Sequence, residues 1–237
     1  MARLARFVVP GIPHHVTQRG NGKQLTFLQD SDYLLYRRLL GEHCAAQGVA
    51  VWSWVLMPNH VHLILVPPHE DALRAVLSRV HRYYAGHIHL RERRSGHFWQ
   101  GRFGCVAMDE QHLSAAVRYV ALNPVRARLV ERAQDWRWSS VHALLDPEKG
   151  DGLTETAPVL ERLPAFAELL NVGEDEARST ALRRSEAVGR PLGDQPFLDR
   201  VKAALGRDPK PRRRGRQKLT CDSDKQIGDS ALKSFGD

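Results

Sequence analysis

The chain has 237 residues, 42% hydrophobic and 26% charged, which suits one globular domain with room for an extension and excludes wholesale disorder. Lys and Arg number 35 against 27 Asp and Glu, a formal +8 that points to a polyanionic partner, nucleic acid or an anionic membrane surface. No apolar run approaches the ~18–20 residues that span a bilayer, which sets membrane insertion aside.

Near the start, Phe7–Val9 runs into Pro10 and Gly11, too short for the apolar region of a signal peptide. Cys44, Cys105 and Cys221 are odd in number and far apart, so no disulfide framework is indicated. The expected compartment is the cytoplasm, with nucleoid association if the polyanion is DNA. His14–Gln18, between Pro13 and Gly20, reads as a strand. Asp30–Gln47 carries Leu34, Leu35, Leu39 and Leu40 at helical spacing and is closed by Gly48. Val49–Met57 and His60–Val66 are β-branched and aromatic-rich, and Pro58-Asn59 between them predicts a hairpin. Asp71 to Arg91 places Leu73, Val76, Leu77, Val80 and Tyr84 on one stripe. Phe103–Ala107 is a weaker strand, and a helix capped by Asp109 runs to Asn123, where Pro124 is expected to kink or stop it.

The order β-α-β-β-α-β-α predicts an α+β fold: a ferredoxin-like (RRM-like) antiparallel sheet with helices on one face, plus one further helix. Composition divides the chain at about residue 145. Residues 146–206 alternate Pro and Gly with short helical stretches and read as an irregular helical extension. Residues 207–237 read as a disordered tail, basic over 207–218. Residues 1–145 hold 18 basic and 10 acidic side chains, and 17 of the 18 are arginine, suited to bidentate phosphate contact. The stretch 146–206 is acidic, so two basic regions flank an acidic spacer.

His60 and His62 alternate along a strand and leave the same sheet face, their Cα atoms roughly 6.5–7 Å apart. Both rings can reach one cation, or both can be half-buried strand histidines bonded to backbone. Tyr119 and Asn123, four apart on the last predicted helix, share a face on the shoulder of the stripe Leu113, Ala116, Val117 and Val120. By themselves they also fit a packing tyrosine and a helix terminator. A structural zinc site is a further reading, but it wants four protein ligands and no fourth candidate is visible.

Met57–Leu63, containing His60-Val61-His62, followed by Arg118–Arg126, containing Tyr119 and Asn123, resembles the single-tyrosine HUH transposases of the IS200/IS605 type. Arg19-Gly20-Asn21, Gly96–Phe103, Trp136–Ser140 and the basic C-terminal region are closer to the REP-associated tyrosine transposases within that group. The resemblance covers about residues 8–145. It implies a metal-dependent tyrosine DNA endonuclease and strand transferase acting on single-stranded or hairpin DNA, such as palindromic REP repeats. It also implies Tyr119 as nucleophile, His60, His62 and Asn123 as ligands of Mg2+ or Mn2+, and a 5′-phosphotyrosine intermediate. The protomer is expected to act as a monomer or homodimer. Arg128 stands where such sequences usually carry Gly.

Arg19, Asn21, Tyr83, Gln100 and Arg102 are candidate DNA contacts, and Tyr84 is expected in the core. Trp99 and Phe103 fit either base stacking or the packed lead-in to a strand. Arg212, Arg213, Arg214 and Arg216 are read as phosphate contacts of the tail. The competing function is a catalytically silent DNA- or RNA-binding module on the same fold.

Overall fold

Two β-branched segments meet around Pro58-Asn59 as an antiparallel hairpin, β2 (Ala50–Met57) and β3 (His60–Val66). The computed structural model describes residues 5–171, 180–182, 184–185 and 188–210. In it β1 (His14–Arg19) pairs with the free edge of β3, and β4 (Gly104–Ala107) pairs with β1. The result is an antiparallel four-stranded sheet of order β2-β3-β1-β4. With α1 (Asp30–Gln47) and α2 (Ala72–Glu92) as its connections, this is the ferredoxin-like arrangement. Of the expected tail 207–237, residues 207–210 are described, with the Arg207 guanidinium donating to the Ala5 carbonyl at 2.9 Å, and the remainder from 211 on lies outside the described residues. So do Arg212, Arg213, Arg214 and Arg216.

Strand alternation sorts side chains into two cores. Val61, Leu63 and Leu65 of β3, with Val16 and Cys105, pack against Leu73, Val76, Leu77, Val80 and Tyr84 of α2 and Tyr36 and Leu40 of α1. Ile64 and Val66, with Val55, Met57 and Val106, face the other way, onto α3 (Glu110–Arg126) through Leu113, Ala116, Val117 and Val120. The predicted α2 and α3 stripes are therefore the buried ones. In α1 the stripe differs. Leu34 is exposed, and Tyr33, Tyr36, Leu39, Leu40 and Cys44 are buried. The aromatic rings take precedence there because Tyr33 stacks on Phe27 and Trp138, which turns Leu34, one residue on, out to solvent.

The C-terminal stretch extends the packing at two separate places. Beyond α4 (Val141–Leu145), α5 (Ala157–Arg162) and α6 (Phe166–Leu169) bury Val159 and Phe166 in the α3 core. α7 (Gln195–Leu205) buries Phe197 and Val201 against Phe7, Val9 and Ala107. No helix among the described residues is long and apolar enough to cross a membrane.

Asp32 ties the first face together. Its carboxylate is fully buried, accepts from the Leu28 and Gln29 amides at 2.9 and 3.2 Å, and is held by the Arg91 guanidinium from the last turn of α2. Burial alone would raise its pKa, but the Arg91 and backbone hydrogen bonds outweigh it and hold the carboxyl below its ordinary value. A depressed native pKa means stability is present above the unfolded value of about 4 and is lost as pH falls through the native one. Asp32→Asn is expected to lower stability by about 3 kcal/mol in urea melts and to flatten the acid limb of the stability curve.

Candidate active site

The β1–β3 register decides which side chains meet. Thr17 lies opposite His62, Arg19 opposite His60, and His15 opposite Ile64. Directly opposed residues share a face, so His15, Thr17 and Arg19 join His60 and His62 on the side covered by α3. From α3, Tyr119, Asn123 and Arg126 project at spacings of four and three along one helical edge.

Within this cluster the His60 and His62 rings are edge to face, 4.9 Å between centroids. Tyr119 is edge-on to His62 at 5.4 Å and to His15 at 6.0 Å. His15 and His62 lie parallel, 5.1 Å apart, with His15 Nε2 3.0 Å from His62 Nδ1. His60 Nδ1 is 2.6 Å from Asn59 Oδ1, and His60 also hydrogen-bonds the Asn123 side chain. The Arg126 guanidinium sits 4.4 Å from the centre of the Tyr119 ring. His62, Tyr119 and Asn123 are all buried.

All three imidazoles are neutral near pH 7. Burial pushes His15 down to about 3. Burial and then the nearby Arg19 charge push His60 down to about 4, against the Asn123 bond, which favours its charged form. For His62 burial comes first, followed by repulsion between its charged form and those of His15 and His60 and by the fixed charges of Arg19 and Arg126, and its pKa falls well below the usual value. Neutral rings keep lone pairs for a cation. A His60 that donates from Nδ1 to Asn59 carries its lone pair on Nε2.

No group of three or more His, Cys, Asp or Glu side chains is placed to hold a metal among the described residues. The donor set that does converge is two neutral imidazoles and one amide, His60, His62 and Asn123. That set fits a divalent cation carrying open coordination positions, because it adds no ligand charge to offset the ion's own.

Of the two effects expected of Pro124, a kink or a stop, the stop at Asn123 does not occur. α3 continues through Pro124 to Arg126. A proline this close to a helix end removes one amide donor and leaves the following turn intact. The helix then closes with Arg128 N–H on the Val125 carbonyl and Leu129 N–H on the Pro124 carbonyl, both 2.9 Å, with Arg128 at φ 56°. This is a Schellman closure, and it assigns Arg128 the left-handed conformation that favours glycine. The extra turn is what carries Arg126 onto the Tyr119 ring.

Other sequence candidates lie elsewhere. Tyr83 is half-exposed on α2, behind the sheet from this cluster, stacked on His43 at 5.8 Å. Tyr84 is buried and donates its hydroxyl to the Thr26 carbonyl, as a core residue. Trp99 packs partly against the first core and donates its indole N–H to the His81 carbonyl, and Phe103 is buried under the Arg6 guanidinium. Gln100 and Arg102 are exposed on the same loop, and Asn21 is exposed beyond β1. That loop is fastened to β1 and the residues just after it: Gln100 N–H bonds the Arg19 carbonyl, Asn21 N–H bonds the Phe98 carbonyl, and the Gln18 amide bonds the Gly101 carbonyl. A cavity of about 530 Å³ opens between it and α2, lined by Arg82, His89, Phe98, Trp99 and Arg102 among others, none acidic.

Two residues of the cluster escape a reading of the sequence, His15 and Arg126. Arg126 is seven residues, two turns, beyond Tyr119, a spacing that places it on the same edge once the helix is known to pass Pro124. His15 carries no such signal, because its place beside His62 depends on which strands pair.

Residues 13–123 match the family described as "Transposase IS200 like". Among solved structures, the chain is similar to a REP-associated tyrosine transposase bound to a REP hairpin, at 19% identity and TM-score 0.55, covering 65% of this chain and 90% of that one. That likeness is one of fold. A structure named as a transposase, from Deinococcus radiodurans R1, shares 18% identity over 50% of this chain and 95% of that one, with TM-score 0.36. No curated protein sequence matches the chain.

Arg128→Gly is expected to raise stability by about 1 kcal/mol in thermal or chemical melts by relieving the left-handed backbone, with the helix end and Arg126 unmoved.

Proposed function

We propose that this chain is a single-stranded DNA endonuclease and strand transferase, transposase-like, that uses a divalent metal and a 5′-phosphotyrosine intermediate on hairpin-forming DNA such as REP repeats. The observation that carries it is the meeting of Tyr119 with His62, at 5.4 Å, inside the segment 13–123 that matches the IS200-like transposases, with the Arg126 guanidinium 4.4 Å from the Tyr119 ring centre just beyond that segment. The chemistry is assigned to residues 1–145, with 146–206 as a covering extension and the protomer working alone or as a homodimer.

In this reading the Tyr119 phenolic oxygen attacks the scissile phosphorus, the P–O3′ bond breaks, and the tyrosyl oxygen retains the 5′ phosphate. The phenol's proton passes to solvent water as attack proceeds, and the departing 3′ oxygen takes a proton from solvent to become a free hydroxyl, so the step is proton-neutral overall. A phenol with an ordinary pKa of about 10 is a weak nucleophile near neutral pH. Arg126 over the ring and Arg19 beside the histidines would stabilise the negative charge that grows on phosphate. His60, His62 and Asn123 would hold Mg2+ or Mn2+. The ion, when bound, supplies a Lewis acid for a phosphate oxygen. The phosphotyrosine keeps the bond energy, so the strand can be rejoined to another 3′-OH without ATP.

For the DNA we assign Arg19 and Asn21 to the strand leaving the centre, and Gln100, Arg102 and Trp99 to its continuation toward the α2 cavity. The hydrogen bonds that join that loop to β1 support this path, and Tyr83 with Arg82 extends it along α2. Arg212, Arg213, Arg214 and Arg216 are proposed as further phosphate contacts.

With labelled hairpin DNA and Mn2+, the wild-type protein is expected to give an SDS-stable adduct, and Tyr119→Phe none. An adduct formed by Tyr119→Phe removes the nucleophile assignment. The double variant His60→Ala/His62→Ala should lose cleavage while retaining most hairpin binding in gel-shift titrations. Replacing Arg82 and Arg102 together by Gln should weaken binding across all sequences and reduce the salt slope of log K by about two, roughly one per lost phosphate contact.

A further inference from the structure

His15 is fully buried on the central strand β1, which is bonded to β3 on one edge and β4 on the other. Its backbone is therefore held at both sides, opposite Ile64 and Val106. The ring lies 4° from parallel to that of His62, and its Nε2 is 3.0 Å from His62 Nδ1. One proton is shared across that contact, and its direction has chemical consequences. If His15 donates, His62 accepts on Nδ1 and must carry its own proton on Nε2, leaving no lone pair for a cation. If His62 donates from Nδ1, its Nε2 lone pair is available.

We propose that His15 is a positioning residue: a buried hydrogen-bond acceptor that holds the His62 proton on Nδ1, so that Nε2 of His62 is presented as a ligand. The proposal rests on the reading of His60 and His62 as metal ligands and adds a residue that touches neither the cation nor the DNA. Ligating histidines are commonly oriented by an acceptor on their second ring nitrogen, and loss of that acceptor costs about 10–100-fold in metal affinity. A carboxylate in this position would add a negative charge. An imidazole supplies the same acceptor without one and leaves the field of Arg19 and Arg126 unopposed. His60 has the equivalent partner in Asn59, whose Oδ1 lies 2.6 Å from its Nδ1, so both candidate ligands have their Nδ1 engaged by a neutral acceptor.

The test is titration of the full-length protein with Mn2+ alone, followed by calorimetry or by the EPR signal of free Mn2+. His15→Phe keeps a flat ring and removes the acceptor; His15→Gln restores one through its amide oxygen. Relative to wild type, His15→Phe is expected to bind Mn2+ at least about tenfold more weakly, with His15→Gln recovering most of the loss. Equal affinity in a folded His15→Phe protein overturns the proposal, and so does a His15→Gln variant as weak as His15→Phe, which would mark His15 as packing only. His60→Ala/His62→Ala separates the two levels. If that variant still binds Mn2+ like wild type, the ligand assignment itself fails; if only it loses binding, the ligands stand and the role of His15 does not. Should His15→Phe fail to fold, long-range 1H–15N spectra of the Mg2+-loaded wild type decide. A proton on His62 Nδ1 is expected, and ligation through Nδ1 instead would overturn the proposal.

Discussion

A sheet covered on both faces has to bury whatever its strands present on either side. In β3, alternation sends Val61, Leu63 and Leu65 into the α1–α2 core and His60, His62, Ile64 and Val66 toward α3. Two imidazoles are thereby committed to a closing interface, which they can enter only if neutral and hydrogen-bonded. The neighbours of His60 and His62 answer that demand: Asn59 and Asn123 for the first, His15 for the second. The same desolvation that keeps the rings neutral keeps their lone pairs available, so the packing requirement and the proposed chemistry draw on one cause.

α3 covers this face and also supplies half of the cluster. Its apolar stripe fixes the helix against β2 and β3, and the edge of that stripe carries Tyr119 and Asn123 over the histidines. The position of its end matters as much as its register. Because the helix outlasts Pro124 by a turn and closes through the left-handed Arg128, Arg126 is delivered to the Tyr119 ring rather than released into a loop. The segment after α4 then seals the face, with Val159 and Phe166 filling the α3 core and Arg118 donating to the Leu169 carbonyl at 2.9 Å. The irregular C-terminal stretch thus packs over part of α3.

Charge is distributed to match. The arginines of residues 1–145 include Arg19 and Arg126 beside the histidines and Arg82 and Arg102 at the cavity mouth. Asp32, a conspicuous buried carboxylate, lies on the other face and is committed to Arg91. The first face carries this buried ion pair, and the second gathers the neutral imidazoles with Arg19 and Arg126 beside them.

Much of this was legible in the residues alone, because it depends on local periodicity. Alternation put His60 and His62 on one face, 3.6-residue spacing put Tyr119 and Asn123 on one edge, and Pro58-Asn59 marked the hairpin. The order of elements followed from the same signals. Leu34 is exposed although it shares the apolar spacing of α1, because several apolar residues there compete for the stripe and the stacking of Tyr33 on Phe27 and Trp138 settles the contest. α3 runs past Pro124 to Arg126 because a proline's effect depends on how near the helix end it falls. His15 needed the pairing of β1 with β3 across 47 residues, and Arg126 needed the turn beyond Pro124. Local pattern determines which side chains share a face; which faces meet is decided by strand pairing and helix packing, contacts that no stretch of sequence contains.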